Sequence, residues 1–197
     1  MSVKKSTPVR RRRTSEDARA EALAAARRLL LEKGPAALTL KAVANEVGVT
    51  HANLLHHFGS AGGLQTELMT MMIRDLTDAL GSAVEKLRAG EATLDQLIGL
   101  TFEAFGAGGA GHLAAWMVLN REAEHLEPIG EAVRGLAQAL TIPGKPSPEK
   151  VILLGTMLAF AEAVIGPHLR AMLDEDENAA QDLAARLLPV VLLDEQG

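Results

Sequence analysis

The stretch that most constrains the fold runs from Leu38 to Phe58 and reads LTLKAVANEVGVTHANLLHHF. Thr39 is placed to cap a short helix over about Leu40 to Val47, with Val43, Ala44 and Val47 on its apolar side. Gly48 follows where the chain needs a left-handed turn residue. Thr50 can then cap a second short helix, about His51 to His57, with Leu54 inward and Phe58-Gly59 ending it. Val43, Val47, Val49 and Leu54 converge on a small core, and Ala44 is small where the two helices cross. That leaves His51, Ala52, Asn53, Leu55 and His56 facing outward. Short and polar groups on a projecting helix suit the reading of base edges in the major groove of DNA. Joint metal ligation by His56 and His57 is disfavoured, because neighbours on a helix point about 100° apart.

The flanking chain is helical throughout, so the expected fold class is all-α, with about nine helices. Ala and Leu dominate an apolar content of 48%, which favours helix over strand. Ser15, Glu16 and Asp17 suit a helix start, and Ala22, Ala25, Ala26, Leu29 and Leu30 share one face before Gly34-Pro35. Ser60 can cap a long helix with the stripe Leu64, Leu68, Met72, Leu76, Leu80 and Leu87. Thr93 opens another, with Leu94, Leu97, Ile98, Thr101, Phe102 and Phe105 aligned. A Gly-rich loop from Gly106 to Gly111 precedes a helix holding Leu113, Trp116, Leu119, Ala123 and Leu126. Pro128 can start the next helix, and two more, about Glu149 to Leu173 and about Asn178 to Leu192, finish the chain. Gly166-Pro167 is expected to kink or interrupt the first of these two.

Charge divides the chain. Residues 1–60 carry 11 Lys+Arg against 5 Asp+Glu, and residues 61–197 carry 9 against 20, which recovers the net −5. A basic first segment on an acidic body suits a polyanion-binding module joined to a unit with another task, although a disordered basic tail gives the same asymmetry. Residues 1–13, with Arg10, Arg11, Arg12 and Arg13, read as a flexible basic arm. The absence of Cys removes disulfides, thiolate metal sites and cysteine nucleophiles. No signal-peptide pattern follows the basic start, and no uninterrupted apolar run approaches the roughly 20 residues of a membrane span. The expected setting is the cytoplasm, without membrane association.

Residues from about Arg19 to Leu68 resemble the DNA-binding domain of the TetR family of repressors. The matching signature is Gly34, Leu38-Thr39-Leu40, Val43-Ala44, Gly48-Val49-Thr50, Leu54, His57-Phe58 and Leu64. The resemblance implies a helix-turn-helix DNA-binding domain over 14–61 and a helical ligand-binding and dimerisation domain over 62–197. It implies that Thr50 to His57 enter the major groove of double-stranded operator DNA, with His51, Ala52 and Asn53 toward base edges. Asn53 can pair with adenine. Thr39, Lys41, Thr50, His56 and His57 would position the backbone, and the arm would follow phosphates or a minor groove. The family commonly has Tyr at the place of Leu55 and Lys at the place of Ala61, and both would grip phosphate.

For the second domain, the resemblance implies a cavity for a small-molecule effector and a homodimer built on the last two helices. Candidate cavity residues are Phe102, Phe105, His112, Trp116, Met117 and Phe160. With so few charges on the inward stripes, an apolar or amphipathic effector is expected. Candidate dimer residues are Leu154, Leu158, Ile165, Leu169, Leu183, Leu187 and Val191. No cofactor and no metal is expected, and no catalytic residues stand out together. Gly106, Gly108 and Gly111 spell a dinucleotide fingerprint, but a helix precedes them where that motif needs a strand. Glu122 and His125 lack the second such pair that a di-iron bundle requires. Two other readings stay open: a helical ligand-binding or adaptor dimer without DNA binding, and a small helical enzyme.

Overall fold

A computed structural model describes residues 15–120, 127–141 and 148–194. They form nine α-helices and no strand among the described residues. In order these are α1 (Ser15–Lys33), α2 (Leu40–Val47), α3 (His51–Phe58), α4 (Ala61–Arg88), α5 (Leu94–Phe105), α6 (Ala110–Leu119), α7 (Glu127–Leu140), α8 (Glu149–Leu173) and α9 (Ala179–Asp194), with a short 3₁₀ turn at Pro35–Ala37. The basic arm, Arg10 to Arg13 included, lies outside the described residues, as do Glu122 and His125.

Local signals set the helix starts. The Thr39 hydroxyl accepts from the Ala42 N–H at 3.1 Å, Thr50 from Asn53 at 3.2 Å and Ser60 from Gly63 at 2.9 Å. Thr93 and Gln96 form a reciprocal capping box at the start of α5. Gly48 ends α2 at φ 74 and ψ 34, in the left-handed region that a Cβ disfavours.

One hydrophobic core joins α1, α2, α3, the first half of α4 and α6. It contains Ala22, Ala25, Ala26, Leu29 and Leu30 of α1, Val43 and Ala44 of α2, and Leu54 and Phe58 of α3. Leu64, Leu68, Met69 and Met72 of α4 and Ala110, Leu113 and Met117 of α6 complete it. The boundary expected near residue 61 therefore coincides with the start of α4, and packing runs across it. Further along α4, Leu76 and Leu80 meet Leu136 of α7 in a second cluster. A third gathers Ile98 of α5 with Ala184 and Leu188 of α9, flanked by Leu154 and Leu158 of α8.

Two ion pairs tie α1 to α4. Arg19 forks onto Glu67, and Arg27 reaches Asp75 at 2.9 Å, one pair on each of two aligned stretches of the helices. Each is partly exposed and contributes about 0–1 kcal/mol, so they orient the helices more than they hold them together.

Two expectations are corrected. Gly111 is not in the loop: it lies buried in α6, where an added Cβ would come within 2.6 Å of the Ala163 Cβ of α8. The glycine permits the close approach of the two helices. Gly166-Pro167 does not interrupt α8, which is helical from Glu149 to Leu173. Gly166 carries no Cβ to meet the proline ring, so the usual bar against helix before proline is relaxed. One further property belongs to α8 as a whole. Although its uninterrupted apolar run ends at Glu162, the 25-residue helix has a mean hydropathy of 1.6 and is long and apolar enough to cross a membrane by length and composition alone. Glu162 pairs with Arg170 along the helix, over the space that Gly166 leaves open.

Candidate nucleic-acid interface and ligand cavity

The outward face of α3 follows from its register. Leu54 and Phe58 are buried in the shared core. Since successive residues turn by about 100°, Ala52 and His56 point directly away from them, with Asn53 and Leu55 on the flanks. His51, Ala52, Asn53, Leu55 and His56 are all exposed, and His57 is half-buried. Thr39, Lys41 and Thr50 are exposed at the starts of α2 and α3. The expected DNA-facing residues of 39–57 therefore lie in the two helix starts and the projecting face of α3. No Asp or Glu occupies the first turn of α2, α3 or α4, so the positive ends of three helices are left without a countercharge.

Arg19 was not among the expected contacts. Its guanidinium lies 5.6 Å from the centre of the Phe58 ring, and the His57 ring meets Phe58 edge-on at 6.4 Å. The start of α1 is thus held beside the end of α3. Periodicity could not reveal this, because Arg19 sits on the polar side of α1. Leu55, at 45% exposure, is the one large apolar group on the face. Ala61 is half-buried at the first position of α4.

Beyond the shared core lies a cavity of about 400 Å³ between α4, α5, α6, α7, α8 and α9. Phe102, Phe105, Met117 and Phe160 line it; His112 and Trp116 do not. The correction for those two follows from the register of α6. Ala110, Ala114, Met117 and Val118 share the cavity side, which puts His112 and Trp116 on the far side of the helix. His112 is exposed there. Met69, Met72, Leu76 and Leu80 of α4 form a wall that the sequence presented only as a core stripe. Four residues, Met69, Met72, Ala110 and Met117, belong both to this wall and to the core that carries α3.

The expected dimer residues separate into two groups. Ile165, Leu169, Leu183 and Leu187 are exposed, and Val191 is half-buried. Leu154 and Leu158 instead pack inside the chain against the cluster of Ile98, Ala184 and Leu188, which corrects their assignment. One helical turn spans both roles: α9 and α5 cover one side of α8 and leave the other open. Leu153, Met157, Met172, Leu173 and Val190 extend the uncovered apolar surface.

Residues 22–66 match the family described as bacterial regulatory proteins, tetR family. Over those residues the chain resembles that family. The matched span covers α2, α3 and most of the buried side of α1, which are the elements that build the projecting face. The chain is 27% identical over 122 residues to the HTH-type transcriptional regulator BetI of Brucella suis biovar 1 (strain 1330). That match covers 62% of this chain and 61% of the relative, so it spans less than two thirds of the relative's length. Among solved structures, the fatty acid degradation regulator FadR from Bacillus halodurans shares the fold at a TM-score of 0.59 and 14% identity, covering 94% of this chain and 96% of that one. The multidrug binding protein EbrR, complexed with imidazole, shares it at a TM-score of 0.52 and 22% identity, covering 86% and 93%.

Proposed function

We propose that this chain is a ligand-responsive transcription regulator, acting as a repressor that binds a palindromic operator as a homodimer in the cytoplasm. In this reading residues 14–61 bind DNA and residues 62–197 sense a small apolar or amphipathic effector and dimerise. The relative named as an HTH-type transcriptional regulator supports it. The observation that carries it is the shared set Met69, Met72, Ala110 and Met117, which lines the cavity and packs against the helices under the projecting face.

Each part then has a task. His51, Ala52 and Asn53 read base edges, with the Asn53 amide suited to adenine N6 and N7. Thr39, Lys41, Thr50, His56 and His57 set the register on phosphates. Arg10 to Arg13 take up phosphate contacts that Leu55 and Ala61 do not make. Dimerisation through Ile165, Leu169, Leu183, Leu187 and Val191 places two recognition helices one DNA turn apart, roughly 34–36 Å. An effector pressing on Met69 and Met72 moves α4, which follows α3 after only Gly59 and Ser60. That changes the spacing and releases the operator. Effector and operator then oppose each other by one coupling energy, about 1–3 kcal/mol in typical systems.

Footprinting the purified chain on the region upstream of its own gene tests this. An inverted repeat protected in two half-sites with centres one helical turn apart is the expected result. Unprotected DNA at low salt would favour the second reading, a ligand-binding or adaptor dimer without DNA binding, to which the exposed Leu55 points.

A further inference from the structure

The cavity wall carries a more specific statement about what it takes. Among the described residues that line it there is no charged side chain, and the only polar ones are Thr101 of α5 and Thr156 of α8. Thr101 Oγ1 donates to the Leu97 carbonyl at 3.3 Å. A hydroxyl has one proton to give and two lone pairs to receive. With its proton directed into the helix, Thr101 presents the cavity with an acceptor.

The rest of the wall is flexible thioether and aromatic surface, Met69, Met72 and Met117 with Phe102, Phe105 and Phe160, which adapts to varied apolar shapes. A volume of about 400 Å³ holds roughly a dozen groups at the ~30 Å³ share of a water molecule.

We infer that the cavity binds an uncharged, largely hydrocarbon ligand of about a dozen non-hydrogen atoms whose single hydroxyl donates to Thr101. This rests on the reading of the cavity as the effector site and narrows it. Among the described lining residues a carboxylate finds no cation and at most one hydroxyl donor, in Thr156, far short of its lost hydration. Among the described residues a cation finds hydroxyl acceptors and phenyl faces but no carboxylate, and these offset little of the cost of desolvating an ion. A neutral hydroxyl regains its donated bond at Thr101 and gives up only its weaker acceptor bonds to water, a far smaller cost than burying a charge.

The test is calorimetric titration of the full chain at neutral pH, without DNA, with decanol, decanoate, decylammonium and butylbenzene. Decanol and butylbenzene bind, while decanoate and decylammonium bind roughly a hundredfold more weakly than decanol or not at all. Thr101→Val weakens decanol about tenfold and leaves butylbenzene unchanged. Retained butylbenzene binding shows that the variant cavity is intact, and Thr101→Ser restores decanol. Either ion binding within about threefold of decanol would overturn the inference. So would Thr101→Val affecting both neutral ligands equally, or none of the four binding. Since DNA is absent, a chain that binds decanol yet ignores every duplex would keep this inference and sink the regulator reading.

Discussion

Gly48 shows how one residue sets the geometry of the projecting face. Its φ of 74 lies in the left-handed region, and nothing lies within 4 Å of where a Cβ would stand. The cost of Gly48→Ala is therefore backbone strain alone, about 1–2 kcal/mol, read as a lower urea midpoint with an unchanged denaturant slope. Gly48→Asn should cost less, because Asn tolerates that conformation better. The glycine was legible in the sequence because a capped helix on each side left one position for it. Arg19 was not legible, because its contacts with Phe58 and Glu67 join residues far apart in the chain and follow no local rule.

At the scale of the element, α3 is too short to be stable on its own, so its cap and its buried face decide whether it forms. Thr50→Ala should cost about 1 kcal/mol through the lost bond to the Asn53 N–H. Leu54, 1% exposed, reaches the core that α1, α2 and α4 share. Leu54→Ala should cost about 2–5 kcal/mol, seen in the same unfolding experiment. The cap residues Thr39, Thr50, Ser60 and Thr93 were readable because capping is local chemistry within three residues. The faces of α6 and α8 were less so. Periodicity says which side chains share a side of a helix, not which neighbour that side meets. His112 and Trp116 were therefore placed in the cavity, and Leu154 and Leu158 on a dimer surface. Deleting residues 1–13 should weaken duplex binding and flatten its salt dependence, since fewer counterions would be released. An unchanged slope in anisotropy titrations across salt would show that the arm touches no phosphate.

The whole molecule is organised around α4, whose first half belongs to the core under α3 and whose second half walls the cavity with Leu76 and Leu80. The core under α3 and the cavity wall meet in shared side chains and not across a linker, so the packing shows no gap at the boundary expected near residue 61. The open side of α8 and α9 exposes Ile165, Leu169, Met172, Leu173, Leu183, Leu187 and Val190, a clustering of apolar groups that marks an interaction surface. Replacing Leu169 and Leu187 together with Glu should convert dimers to monomers in sedimentation velocity. Operator binding should weaken with it, because one recognition helix alone cannot span two half-sites.

The central claim is that the outward face of α3 reads duplex DNA. The most direct measurement is an anisotropy titration at low salt, comparing a duplex from the chain's own upstream region with a scrambled one, for the natural chain and for Asn53→Ala. The account predicts a marked preference for the upstream duplex, reduced by about 1–3 kcal/mol in Asn53→Ala while affinity for the scrambled duplex stays the same. Equal affinity of the natural chain for both duplexes, or a preference untouched by the substitution, would contradict it.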